Sequence, residues 1–487
     1  MTASNMHHIK IVHLSLLTGF LLLIGGCKKS SDLAPSVPVD EVIVSPPNPL
    51  FRTSVPRSDY DIVAVRPTRN SITLSILSYK TCDAKIEYSV AGRADFKTLS
   101  ISLTGNNPAL AVLDNLLPAQ AYDYYYSYKL AGTSSYIKSP KYSFTTARDA
   151  GQPFVLALTA DSHLDMRTDT AVYRKTLDNL FEDKPDFMVE LGDTYMNDKY
   201  GSDFSMAFYN YLAQRYFFGK VCHSMPLFFV QGNHDGEAGI YNDMTAQSRA
   251  VWSNNMRKKY FPMPEPGTYY RGNANKDTYA GYLQNYYAWE WSNALFIVLD
   301  PFWYSPVASA NDPWARTLGE EQYNWLKETL QNSRATFKFV FLHNLVGGID
   351  IDGKGRGGVE AVPFFEWGGK SLSGLNEFAA RRPKFEMPIH QLLVKYGVNA
   401  VFHGHDHFYG YQQMDGIVYQ EIPQPSTITG SNPVQAADYG YRQGTFMGGS
   451  GYLRLTIGAS SAKVEYIGTD IQVQSRNKSV WHQYILN

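Results

Sequence analysis

The chain has 487 residues, and its 44 Lys+Arg nearly balance 45 Asp+Glu for a net charge of −1. That balance excludes the broad basic face of a non-specific nucleic-acid binder and the acidic tail of a disordered solubiliser, so no nucleic-acid partner is expected. Apolar residues at 44% and aromatics at 14% suffice for large packed cores, while three cysteines (Cys27, Cys82, Cys222) are too few for a disulfide scaffold.

The first segment reads as an address. His7, His8 and Lys10 precede an apolar run, Leu14 to Ile24, too short for a membrane-spanning helix but suited to a signal-peptide core. It ends in Leu23-Ile24-Gly25-Gly26-Cys27, which resembles the lipobox of bacterial lipoproteins. The resemblance implies a signal peptide over 1–26 and a lipid on Cys27. That lipid would anchor the chain to a membrane of the cell envelope, on its periplasmic or cell-surface side. An ordinary secretory signal with an incidental cysteine is the alternative. Residues 27–56 carry Pro35, Pro38, Pro46, Pro47, Pro49 and Pro56, the composition of a semi-rigid tether.

Residues 57–148 read as all-β. Ile72, Leu74 and Ile76 alternate with polar residues, as do Ala84, Ile86, Tyr88 and Val90, and Tyr122, Tyr124, Tyr126 and Tyr128. Leu116-Leu117-Pro118-Ala119-Gln120-Ala121-Tyr122, followed by Phe144-Thr145-Thr146, resembles the end of a fibronectin type III-like domain. Purple acid phosphatases carry such a domain ahead of their catalytic one. No histidine occurs between 14 and 162, so a structural or docking role is expected for this module. Cys82 and Cys222 fall in different domains, and no disulfide is expected.

The rhythm changes in 149–487, where five short apolar runs each end in metal-ligand chemistry. They lead into Asp161-Ser162-His163, Gly192-Asp193, Gly232-Asn233-His234-Asp235, His343-Asn344 and His403-Gly404-His405-Asp406-His407. Short continuous apolar runs are what strands buried on both faces look like. Between them Val172, Leu177, Leu180 and Phe181 share one helix face, and Tyr323, Leu326 and Leu330 another. Strand–helix alternation means an α/β layered fold whose ligands gather beyond the strand ends, so the five sites converge on one cleft. Two hard-to-borderline divalent ions close together need a bridging carboxylate plus imidazole and oxygen ligands. Glycines such as Gly192, Gly232 and Gly404 let the backbone turn sharply beside them.

These five motifs, in this order, resemble the signature of calcineurin-like metallophosphoesterases, over residues of about 150 to 470. The resemblance implies a four-layer α-β-β-α sandwich behind the small β-domain, completed in part by a C-terminal hairpin, Gly451 to Ile457 and Lys463 to Ile467. It implies that Asp161, His163 and His407 bind a first metal, that Asp193 bridges, and that Asn233, His343 and His405 complete a second site. His234 matches the family's non-ligand histidine beside the leaving group, and the adjacent Asp235 would orient or charge it. The implied activity is hydrolysis of a small phosphorylated substrate, a phosphomonoester or phosphodiester, by a hydroxide bridging two ions of Mn, Fe or Zn. His403 has no place in the pattern; support of a ligand and plain packing are both open.

One departure narrows the resemblance. Purple acid phosphatases carry a tyrosine three positions after the bridging Asp and a glycine where this chain has His163; here the third position is Met196, and Tyr195 comes one place early. A colourless or faintly coloured enzyme is therefore expected. Substrate choice should lie in the insertions. Phe302, Trp303, Tyr304 and Trp314 either stack on a sugar or base or pack in a core, and Tyr286 to Leu299 reads as two further strands joined near Asn293. The loop Gly347 to Gly358 reads as a flap bringing Lys354 or Arg356 to a phosphate, or as a solvated loop; its Asp350 and Asp352 do not complete a calcium loop. The reading of another class is a surface-anchored binding protein with a vestigial phosphoesterase fold. The complete ligand set argues for the enzyme.

Overall fold

The computed structural model describes residues 50–56, 58–306, 312–347, 355–427 and 434–487. The expected signal peptide, the expected lipid-bearing Cys27, most of the expected tether and the loop residues Asp350, Asp352 and Lys354 lie outside the described residues.

Period-2 alternation builds a β-sandwich first. Strands Tyr60–Val65, Ile72–Ser78 and Ala109–Leu113 make one antiparallel sheet. Lys97–Leu103, Cys82–Val90, Ala121–Leu130 and Tyr142–Thr145, with the short Ile137–Lys138, make the other. Ile72, Leu74 and Ile76 close the core against Ala84, Ile86, Tyr124 and Tyr126. The Leu-Leu-Pro-Ala-Gln-Ala-Tyr stretch has a structural job: the Tyr122 hydroxyl accepts the Leu117 N–H at 2.7 Å and pins the corner that leads into the strand Ala121–Leu130.

Two further sheets then pack face to face. In the first, Phe154–Thr159, Phe187–Glu190 and Leu227–Phe229 run parallel, and Ser450–Ile457, Ala462–Thr469 and Val480–Leu486 extend them antiparallel. The last of these strands goes beyond the expected hairpin. In the second, Ala294–Val298, Phe337–Phe341, Ala400–His403 and Ile417–Glu421 are parallel and central, with Tyr287–Trp291 and Ala294–Val298 forming the expected pair of strands across Asn293. Aromatics fill the space between the sheets: Phe187 meets Phe296 edge-on at 5.3 Å, and Phe228 stacks on Trp289 at 3.9 Å.

Helices cover the outer faces. Thr170–Glu182 starts on Asp169, whose carboxylate accepts the N–H groups of Ala171 and Val172, and it buries Val172, Leu177 and Leu180 while Phe181 stays half-buried. Gly319–Asn332 buries Tyr323, Leu326 and Leu330 against the second sheet. The result is the α-β-β-α layering. No helix among the described residues is long and apolar enough to cross a membrane.

The sandwich is locked to the layered domain. Arg215, fully buried on the helix Phe208–Gly219, donates to the Asp61 carboxylate, to Ser75 and to the Tyr260 carbonyl. Cys82 and Cys222 are both buried thiols. Trp314 and Phe302 are buried and Trp314 meets Phe365 edge-on, so these aromatics pack in the core.

Residues 50–56, the end of the expected tether, are not a free spacer. Phe51, Thr53 and Val55 are buried while Arg52, Ser54 and Pro56 are exposed. This is strand-like alternation that the surrounding prolines hid.

Candidate metal centre

All five strand ends open on one cleft. Backbone bonds hold the loops in register there: the Asp161 N–H donates to the Gly192 carbonyl, His163 to Asp193, and Gly404 to His343. The turns are tight. A Cβ on Gly232 would stand 2.1 Å from the Asp193 nitrogen, and one on Gly192, itself at φ +93°, 2.5 Å from the Gly232 nitrogen. Asp161, His163, Asp193, His405 and His407 all have positive φ, between 38° and 82°, a concentration of strained backbone typical of functional sites.

The side chains form two triads, Asp161, His163, His407 and Asp193, His343, His405, with the ligand atoms of each within 4.8 Å of one another. Asp193 Oδ2 lies 3.2 Å from His343 Nε2 and 3.8 Å from His163 Nε2, so it reaches both groups. Asn233 Oδ1 joins the second, 3.1 Å from His343 Nε2. His343 donates from Nδ1 to the Leu191 carbonyl at 2.7 Å, which turns Nε2 toward Asp193 and Asn233 in the cleft. Asp161 accepts the His405 N–H on Oδ2 and keeps Oδ1 for the site.

Asp161 Oδ1, His163 Nε2 and His405 Nε2 are buried with no hydrogen-bond partner. Converging buried atoms of this kind are costly unless something binds them. Although burial opposes it, His407 and His343 hold the Asp161 carboxyl well below the usual range, and His343 and His234 do the same for Asp193. His343, against its burial, is raised to about 9 by Asp193 and Asp161. The cleft thus demands positive charge, and its oxygen and imidazole donors fit divalent metal ions.

His234 stands beside the triads with Nε2 3.8 Å from Asp193 Oδ2. Its expected partner is wrong. Asp235 turns inward and accepts four backbone N–H groups, from Gly232, Asp193, Thr194 and Tyr195. Burial and the Asp193 charge push its carboxyl up to about 7 despite those donors. Asp235 therefore ties two ligand loops together, and the residue that holds His234 is Asp198, whose Oδ2 accepts from Nδ1 at 2.8 Å. Asp198 had no sequence signal beyond lying in the turn after Gly-Asp.

His403 is buried beside Glu421. Its Nδ1 lies 2.7 Å from Glu421 Oε2, and Glu421 Oε1 accepts the N–H groups of Asp406 and His407. Burial pushes the His403 imidazole down to about 3, so it stays neutral. Tyr195 is buried, stacked between Tyr211 and Phe229 at 4.0 and 5.1 Å, away from the triads. Of the flap cations, Arg356 lines the cavity in front of the triads; it pairs with Asp406 at 3.0 Å and lies over the Tyr439 ring.

No curated protein matches the chain. Among solved structures it is similar to PhoD, with a TM-score of 0.61 at 14% identity over 87% of this chain and 89% of that one. It is also similar to the purple acid phosphatase PPD1 from seeds of yellow lupin (Lupinus luteus), with a TM-score of 0.57 at 13% identity over 87% and 73% of the two chains. At such identities the likeness is one of fold. The model of the calcineurin-like phosphoesterase family matches residues 154–409, which takes in all five strand ends and every side chain of both triads, and the chain belongs to that family.

Proposed function

We propose that the chain hydrolyses small phosphate esters with two metal ions, Asp161, His163 and His407 holding one, Asn233, His343 and His405 the other, and Asp193 shared. The observation that carries this reading is the Asp193 carboxylate, within 4 Å of a histidine from each group. When bound, such ions supply the Lewis acidity that draws in phosphoryl oxygens, acidifies water and offsets charge in an in-line displacement. The protein supplies the rest. Arg167, Lys199 and Arg356 line the cavity, of about 900 Å³, and favour an anion there. His234, steadied by Asp198 on Nδ1, presents Nε2 to the departing oxygen and gives it a proton.

The test is a metal-reconstituted panel of nitrophenyl mono- and diesters, nucleotides and sugar phosphates. Turnover on any of these supports the reading; silence across the panel at full metal occupancy overturns it in favour of a binding protein. We propose further that Cys27 carries a lipid. Cys27→Ser should then move the chain from the membrane fraction to the soluble one, and unchanged partitioning would refute the anchor.

A further inference from the structure

The cavity lining is mostly charged and polar, with His163, Asp193, His234, Arg167 and Lys199 among its residues, but Leu50, Phe51 and Met196 also belong to it. Leu50 and Phe51 come from the chain that leads into the folded body. Phe51 bridges antiparallel to Asp165, and the Arg52 N–H donates to the Leu164 carbonyl at 2.7 Å, which fastens this strip to the loop after Asp161 and His163. On its other side the Phe51 ring stacks on Tyr200, with centroids 5.0 Å apart and planes 18° apart. Tyr200 lies in the same turn as Met196 and as Asp198, the residue that holds His234. The strip therefore joins a metal-ligand loop to the turn behind the leaving-group histidine. Phe51 and Met196 are 6% and 3% exposed, whereas Leu50 is 50% exposed.

A bare phosphate or a polyol gains nothing from such a wall, whereas an apolar leaving group gains about 25 cal/mol for each Å² it buries. We infer that Leu50 and Phe51, with Met196, form a leaving-group wall that selects phosphate esters whose organic part carries an aryl or alkyl face next to the ester oxygen. This inference rests on the phosphoesterase reading and names the substrate class of that same site.

Calorimetric binding of phenylphosphonate and methylphosphonate to the metal-loaded full chain tests it, because neither is hydrolysed and turnover is not required. The parent protein should prefer the phenyl compound about tenfold, the size of effect one partly buried ring gives. Leu50→Ala should cut that preference about threefold and Phe51→Ala more, while Phe51→Leu, which keeps an apolar side chain, should retain most of it. Should Phe51→Ala fail to fold, the half-exposed Leu50 still decides the matter. A phenyl-to-methyl ratio unchanged in Leu50→Ala, or absent in the parent, overturns the wall. The phosphoesterase reading stands or falls separately, on the turnover panel.

Discussion

In the seam between the sandwich and the layered domain, Arg215 is fully buried, yet its guanidinium makes five hydrogen bonds. In the cleft, buried atoms of Asp161, His163 and His405 have no partner, and the backbone beneath them is left-handed. Both regions remove charge from water, but only one completes the compensation. A satisfied buried charge belongs to the architecture; an unsatisfied one, held on strained backbone, has been kept ready for something from outside. The sandwich is thus part of one folded body rather than a passenger.

If that contrast is right, damage in the cleft should abolish function and spare the fold, while damage in the seam should do the reverse. The largest effect is expected at Asp193. Asp193→Asn removes the negative charge that lets two dications sit close together, so metal analysis should find fewer than two ions per chain and turnover should vanish. The melting temperature of the metal-free protein should stay within a few degrees of the parent. Two ions retained in the variant would break the ligand assignment. Next comes His234→Asn, which should keep both ions yet lose roughly 10²–10⁴-fold in turnover on an alkyl phosphate and much less on nitrophenyl phosphate. Equal loss on both would replace proton donation by simple charge stabilisation of the phosphoryl group.

In the seam, Arg215→Ala leaves the buried Asp61 carboxylate without its ion-pair partner, with only the Tyr79 hydroxyl at 2.8 Å still donating to its side chain, at a cost of about 3–5 kcal/mol. Denaturant melts should show that loss, with metal content per folded molecule unchanged; a variant as stable as the parent would mean the seam does not matter. The smallest effect is expected at Tyr122→Phe, which deletes one corner hydrogen bond and should cost about 1 kcal/mol.

The five strand ends were legible because each couples a local apolar run to a ligand a few residues on, and Asp161, His163, Asp193, His343, His405 and His407 fall together in space as that pattern predicts. What the sequence hid were partnerships between segments. Asp235 sits next to His234 in the chain, but its carboxylate faces the backbone of residues 193–195; Asp198, 36 positions away, does the work expected of it. Glu421 reads as one more strand residue until the pairing of Ile417–Glu421 with Ala400–His403 sets it beside His403. Composition also outweighed alternation at Phe51, Thr53 and Val55, where prolines suggested a spacer and every second side chain is buried.

The glycine contact in the cleft has a consequence for how such a protein changes over time. The loop bearing Asp193 meets the loop bearing Asn233 backbone to backbone, since a single added carbon on Gly232 would lie 2.1 Å from the Asp193 nitrogen. The span between those two donors is therefore ruled by the main chain, like the fixed jaw of a wrench. Exchanging a donor side chain alters which ion is preferred, while the jaw width stays the same. Variation in what the protein grips is left to the outer edge of the cavity, where borrowed strips of chain such as residues 50–52 can be lengthened, shortened or rewritten without touching the jaw.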